Sequence, residues 1–298
     1  MNQNFKSGLA AALALLALTA SPASAKELKV VASFTVLADV AREIGGDKVT
    51  VTSLIGPNGD PHEFSPSPKD AKLLADADVV LVSGLGLEGW MDRMVGAAGQ
   101  VSPVVASKGI ETREMDEDGH MVIDPHVWNS PRNVEVWVDN IEAALVAADP
   151  EDKAAYESNA SAYKAKLETI DADAKKRFAA IPADKRKLLT SHDAFGYFGK
   201  EYGIEFLSPV GLSTESEASA AGVAKLIDQI KKEGVKVYFF ENSNDPRLVN
   251  QIAEATGAEP GGELYVEALS GKDGPASTYL DMIRYNINTV LDAMNKSV

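Results

Sequence analysis

The stretch 151–181, EDKAAYESNASAYKAKLETIDADAKKRFAAI, limits the possible folds more than any other part of the chain. Its thirty-one residues contain no proline or glycine. Tyr156, Ala160, Tyr163, Leu167, Ile170, Ala174 and Phe178 recur at spacings of three and four, which puts them on one stripe of an α-helix. At ~1.5 Å per residue the rod would be roughly 46 Å long, far beyond the ordinary helix of about 11–12 residues. Such a helix outruns a single small lobe. It predicts a rigid bridge with structure on both sides, one that limits hinge motion between them.

Both sides show the same rhythm. Before the bridge, LKVVAS (28–33), VTVTSLI (49–55), DVVLVSG (78–84) and VSPVVAS (101–107) read as strands. After it, RKLLTSHD (186–193), IEFLSPVG (204–211), VKVYFFEN (235–242) and ELYVEALS (263–270) do the same. Short apolar runs of this kind suit strands buried on both faces, as in parallel sheets. Helical patterns separate them: 36–46 closing on glycines, a helix opening at Pro68, one around Trp90 and Met94, and one from Pro131 to about 148. Further helices fall near 194–202, 219–233, 246–256 and 277–296. The expected fold class is α/β: two similar α/β lobes with parallel-type sheets, joined by a long rigid backbone helix, with the site in the inter-lobe cleft. The expected boundaries are 26–150 for the first lobe, 151–181 for the linking helix and 182–298 for the second lobe. No internal sequence repeat aligns.

The first residues, MNQNFKSGLAAALALLALTASPASA, carry Lys6, an apolar run from Leu9 to Ala20 and a small-residue ending. They read as a secretory signal peptide, 1–25, cleaved after Ala25. The apolar run is shorter than the ~20 residues a membrane span needs. The chain has no cysteine, hence no disulfide framework and no lipidation site. The expectation is a periplasmic, freely soluble protein without a membrane anchor. A formal net charge of −15 argues against nucleic acid as partner, since phosphate contacts need clustered Lys and Arg.

Only four histidines are present. His62 follows the second strand of the first half, His126 sits in DPHVW before a helix, and His192 ends the first strand of the second half. In parallel α/β sheets ligands bind beyond the carboxyl ends of strands, so these three share one setting and can converge between the lobes. Three imidazoles without cysteine form a metal arrangement. A tetrahedral site needs a fourth group, for which Glu267, Glu263, Glu241 and Asp281 are the candidates. His120, in the acidic MDEDGHM, reads as an exposed loop residue, the alternative being a weak secondary metal-capturing loop.

GDPHEFSPSPKD, DPHVWNSPRNV, TSHDAFGYFGKEYGI, GLSTESEASA, FFENS and YLDMIRYNINTV together resemble the solute-binding proteins of ABC importers for zinc and manganese, the cluster A-I metal-binding family. The resemblance covers nearly all of the chain after residue 25. It implies two lobes on a backbone helix, one metal between them, and His62, His126, His192 and Glu267 as ligands. Most members carry aspartate where this chain has Glu267. Zinc-type members often have a long histidine-rich loop before the DPHVW segment; here there is a short acidic one with His120. Ala218 stands where relatives usually have proline. A third histidine goes with zinc in the family, and imidazole suits Zn²⁺ where Mn²⁺ favours more oxygen. The cargo expected is Zn²⁺, with Mn²⁺ the alternative. The partners expected are a membrane permease and, as a further candidate, a metallochaperone, with the chain itself a monomer and not an enzyme.

Two other classes compete with a carrier. A zinc hydrolase needs an open ligand position and a base; Glu63 or an unligated Glu267 would be that base. Ser191, His192 and Asp193 are sequence neighbours and cannot make a serine triad. An adhesin that uses metal only for stability is the third class.

Overall fold

The computed structural model describes residues 27–99, 102–117, 120–211 and 218–296. The signal-peptide reading therefore lies outside the described residues, as does most of the GLSTESEASA motif.

The first lobe runs β1 (Leu28–Ala32), α1 (Thr35–Gly45), β2 (Val49–Ser53), α2 (Pro68–Ala75), β3 (Val79–Val82), α3 (Met91–Ala98) and β4 (Val104–Val105). The strands pair in parallel in the order β2-β1-β3-β4. All four residues of β3 are buried, as its unbroken Val-Val-Leu-Val run predicts for a strand covered on both faces. The α2 start has the expected Pro68 in its first turn and a capping box between Ser67 and Asp70.

A small antiparallel ribbon follows, β5 (Glu114–Glu117) and β6 (His120–Ile123), and then α4 (Pro131–Ala148). The ribbon departs from the sequence expectation of a loop. Its alternation is short and masked by acids: Met115 faces in opposite Val122, while Met121 and Ile123 are exposed.

After α5 (Lys153–Ala179) the second lobe runs β7 (Lys187–Leu189), α6 (Gly196–Tyr202), β8 (Glu205–Leu207), α7 (Ala220–Glu233), β9 (Val237–Glu241), α8 (Arg247–Thr256), β10 (Glu259–Leu264) and α9 (Tyr279–Lys296). From one edge its parallel sheet reads β8-β7-β9-β10. In each lobe, then, the strands lie in the order second, first, third, fourth. The lobes share a topology that no alignment of their sequences reveals.

ELYVEALS is not the strand it was expected to be. The strand starts earlier, at Glu259, and stops at Leu264. Beyond it side chains take over the backbone hydrogen bonds: Tyr265 N donates to Asn286 Oδ1 (3.0 Å), Trp128 Nε1 donates to Val266 O (2.6 Å) and Leu269 N donates to Thr35 Oγ1 (2.9 Å). The segment thus leaves its own sheet and crosses to the first lobe.

The seven stripe residues of α5 are buried. They pack against α1 and α4 of one lobe and α6 and α9 of the other. One continuous core results, from Val30 and Trp137 through Tyr163 to Phe198 and Ile283. Each such side chain contributes on the order of 1.5–3 kcal/mol on burial, so separating the lobes would expose a sizeable shared surface. The outer layer of the second lobe, α7 and α8 over Leu189, has a core of its own. Tyr279 completes the seam, its N–H on Asp39 Oδ2 and its hydroxyl on Trp128 O, both 2.8 Å.

Candidate metal centre

His62 lies in the long loop between β2 and α2. Its backbone N–H donates to Asp60 Oδ1 at 2.7 Å, a local turn that an Asp two residues back makes readily. The preceding carbonyl, of Pro61, accepts from Trp90 Nε1 at 2.9 Å. His126 opens a 3₁₀ turn ahead of α4. Asp124 Oδ1 accepts both the His126 backbone N–H and its ring Nδ1, each at 2.9 Å. Arg113 in turn donates to Asp124 Oδ2 at 2.5 Å. Gly196 makes room for that guanidinium, since a Cβ there would collide with Arg113 Nη1.

His192 sits just past β7, bridged to Val210. Glu241, the last residue of β9, accepts the N–H groups of Ser191 (3.0 Å) and His192 (3.2 Å) with one oxygen and meets His192 Nδ1 with the other. Asn244 Nδ2 donates to that second oxygen at 2.8 Å. Glu267, on the crossing segment after β10, is fully buried.

These four groups converge. His62, His126, His192 and Glu267 each offer one ligand atom, and the four atoms lie within 4.8 Å of one another. Glu267 Oε1 stands 2.7 Å from His62 Nε2 and 3.2 Å from Nε2 of both His126 and His192; the His62 and His126 Nε2 atoms are 3.3 Å apart. Ligand atoms about 2.0–2.1 Å from a tetrahedral ion would be about 3.4 Å from each other. Three of these four spacings are close to that figure.

The tautomers follow from the partners. With Nδ1–H directed at Asp124 and Glu241, His126 and His192 present Nε2 lone pairs inward, the form a cation requires. Among the described residues nothing pairs with Nδ1 of His62.

Burial works against protonating His126, but Asp124 and Glu267 outweigh it and hold its pKa above the ordinary histidine value. Burial opposes protonation of His192 too, and the charges of Glu241 and Glu267 raise its pKa well above that value. For Glu267 burial pushes upward, yet His62 and His192 hold it well below the usual carboxylate range. The centre is a buried carboxylate ringed by imidazoles, a place already organised for positive charge.

The other fourth-ligand candidates lie elsewhere. Glu241 stands behind His192, Asp281 accepts the Thr278 hydroxyl at the start of α9, and Glu263 pairs with Tyr265. Exposed Glu63 lines, with Asp60, Ser191, His192 and Asn244, an open cavity of about 670 Å³ beside the centre. His120 is exposed on the ribbon and is not one of the converging groups. Sequence reasoning missed Asp124 as an orienting group, weighed Glu241 only as a ligand, and passed over Arg113 and Trp90. The tripeptide Asp-Pro-His, present at 60–62 and at 124–126, was the available signal for Asp124.

Residues 30–293 match the family described as zinc-uptake complex component A, periplasmic. The iron-binding protein YfeA of Yersinia pestis is 34% identical over 90% of this chain and 86% of its own. The manganese-binding lipoprotein MntA of Bacillus subtilis is 38% identical over 93% and 92%. Among solved structures, the periplasmic zinc-binding protein TroA from Treponema pallidum superposes with a TM-score of 0.84 at 29% identity, covering 90% of this chain and 99% of that one. A point mutant of the manganese-bound periplasmic metal-binding protein from Candidatus Liberibacter asiaticus gives 0.84 at 31% identity with the same coverage.

Proposed function

The chain belongs to the family of periplasmic component A of zinc-uptake complexes, and from that premise we propose that it captures Zn²⁺ outside the inner membrane and delivers it to the permease of an ABC importer. His62, His126, His192 and Glu267 hold the ion as cargo. The observation that carries this reading is the convergence of three imidazoles on one buried carboxylate, two of them with Nδ1 engaged by a second carboxylate. Three nitrogens and one oxygen suit Zn²⁺. Each chain supplies all four ligands, so a monomer suffices.

A closed four-ligand shell also weighs against hydrolysis, which needs a position for water. Glu63 is exposed rather than poised over the cluster. A Mn²⁺ carrier is the second reading, and the relative named for manganese favours it. Affinity for Zn²⁺ exceeds that for Mn²⁺ at most such sites, so the comparison must be made with both ions and a variant.

The test is a competitive titration of metal-stripped protein with Zn²⁺ and Mn²⁺, alongside Glu267→Ala. One tight Zn²⁺ equivalent, weakened at least about a hundredfold by Glu267→Ala, is expected, because even outer-shell partners are worth about 10–100-fold. Zn²⁺ binding indifferent to Glu267→Ala would point to an open shell and revive the hydrolase. Preference for Mn²⁺ would overturn the zinc assignment and leave the carrier.

A further inference from the structure

Of the three imidazoles, His62 has the least behind it. His126 and His192 each lean on a carboxylate through Nδ1, and their side chains are 0% and 1% exposed. The His62 side chain is 7% exposed, and its loop borders the open cavity through Asp60 and Glu63. Among the described residues its aim comes from the backbone. Two residues flanking it are fastened to a single indole: Pro61 O accepts from Trp90 Nε1 at 2.9 Å, and the Phe64 ring meets the Trp90 ring edge-on at 4.7 Å.

Trp90 is itself firmly seated. The turn before it, Gly84-Leu85-Gly86, has three successive positive φ values, 88°, 59° and 89°. For Leu85 this is a disfavoured conformation, which persists only when the surroundings impose it. What imposes it here is Glu88. The Glu88 carboxylate is buried and accepts Ser33 Oγ (2.7 Å), Ser83 N (2.6 Å) and Gly84 N (3.0 Å), tying the turn to the carboxyl ends of β1 and β3. Met91 N donates to Glu88 O at 2.9 Å, closing the turn that carries Trp90. A continuous path therefore runs from the sheet of the first lobe through Glu88 and Trp90 to both sides of His62.

We infer that Trp90 is the positioning residue for His62 and, through it, sets the rate at which the bound ion is released. This rests on the carrier reading above. It assigns to the indole, for His62, the task that Asp124 and Glu241 perform for the other two imidazoles. The aim of His62 is then coupled to the backbone of its loop, and whatever moves that loop moves the ligand.

The test uses Trp90→Phe, which keeps a ring against Phe64 and deletes the N–H to Pro61 O. Zn²⁺-loaded protein is mixed rapidly with excess chelator, and the thermal midpoint of the metal-free protein is measured in parallel. Dissociation is expected to speed up about three- to tenfold, the effect of one lost hydrogen bond, with the midpoint nearly unchanged. A purely structural Trp90 would lower the midpoint and leave dissociation alone, which overturns the inference. If the midpoint moves as well, Phe64→Leu tests the other side of His62, and unaltered dissociation there overturns it. Weak Zn²⁺ and Mn²⁺ binding by the unmodified protein sinks the carrier reading instead. Tight binding that needs His62, with dissociation indifferent to Trp90→Phe, sinks this inference alone.

Discussion

The tripeptide Asp-Pro-His occurs twice, at 60–62 and at 124–126, and the two copies are built differently. In the second, Asp124 Oδ1 accepts both the backbone N–H and the ring Nδ1 of His126, while its other oxygen is held by Arg113. In the first, Asp60 Oδ1 accepts the backbone N–H of His62, and among the described residues the His62 ring turns to His126 and Glu267. One copy sits at a 3₁₀ turn locked under α4; the other sits in a loop at the edge of an open cavity. Identical local sequence gives an imidazole braced through its own ring in one place and one held through its backbone in the other. The difference lies in what the fold brings from elsewhere: a ribbon arginine for Asp124, an indole for Pro61.

Asp124→Asn is the change expected to act most strongly on this contrast. It replaces an acceptor for Nδ1–H by an amide that can present its NH₂, and it leaves Arg113 without its counter-charge. Loss of an outer-shell carboxylate behind a ligating histidine costs about 10–100-fold in metal affinity. Asp60→Asn keeps the one bond the structure shows to His62, because an amide oxygen also accepts a backbone N–H. Its effect should stay within about threefold, near the lower end of one altered hydrogen bond. Zn²⁺ titration of both variants checks the pair. Equal losses would mean that the two tripeptides work alike.

Acidity sharpens the same comparison less steeply. The pKa values of His126 and His192 are raised in the metal-free protein, with burial opposing and the neighbouring carboxylates prevailing. Protons and the ion compete for the same Nε2 lone pairs, so as pH is lowered affinity should begin to drop while the pH is still above the ordinary histidine value of about 6.5. Folding stability without metal runs the other way. A raised histidine pKa contributes stability that is fully present below the unfolded value and lost as pH rises through the folded one. The gap between the melting temperatures of the Zn²⁺-loaded and metal-free protein should therefore widen from pH 6 to pH 8. A gap that stays constant would show that the two carboxylate-backed imidazoles do not carry the coupling.

These contrasts mark how far the sequence could be read. The bridge helix was legible because nothing interrupts it, and the stripe from Tyr156 to Phe178 is the buried face. The convergence of His62, His192 and Glu267 was legible because each follows a strand of one of the two parallel sheets, where loops gather at the carboxyl end; His126 joins them from a different setting, between the antiparallel ribbon strand β6 and α4. The ribbon was missed because Glu114, Asp116 and Glu117 hide a period of two that only Met115 and Val122 reveal. The end of β10 was misplaced because apolar Leu264, Tyr265 and Val266 look like a strand wherever they lie; the partners that pull the last two out of the sheet region, Asn286 and Trp128, are distant in sequence. The buried carboxylates show the same limit. Glu241 is the last residue of its lobe's third strand and Glu88 lies in the turn after the third strand of the other, yet one meets a buried imidazole and the other holds a strained turn. Composition cannot distinguish them, since the choice depends on which residue the first strand of each lobe places opposite.

The smallest effect belongs to His120. It lies on β6, exposed, in a ribbon whose outward face carries Glu114, Asp116, Met121 and Ile123. No converging group includes it among the described residues. A single exposed imidazole loses little by staying in water and offers an ion one weak contact, so His120→Ala should change Zn²⁺ affinity by less than about twofold, within the scatter of surface substitutions. His192→Ala, measured beside it, removes a buried imidazole of the converging group and the ring contact of Glu241, and the loss should exceed that of Asp124→Asn. If His120→Ala instead matched Asp124→Asn, the ribbon would be part of the centre. Arg113, which precedes β5 and already reaches Asp124, would then be the route by which the ribbon acts.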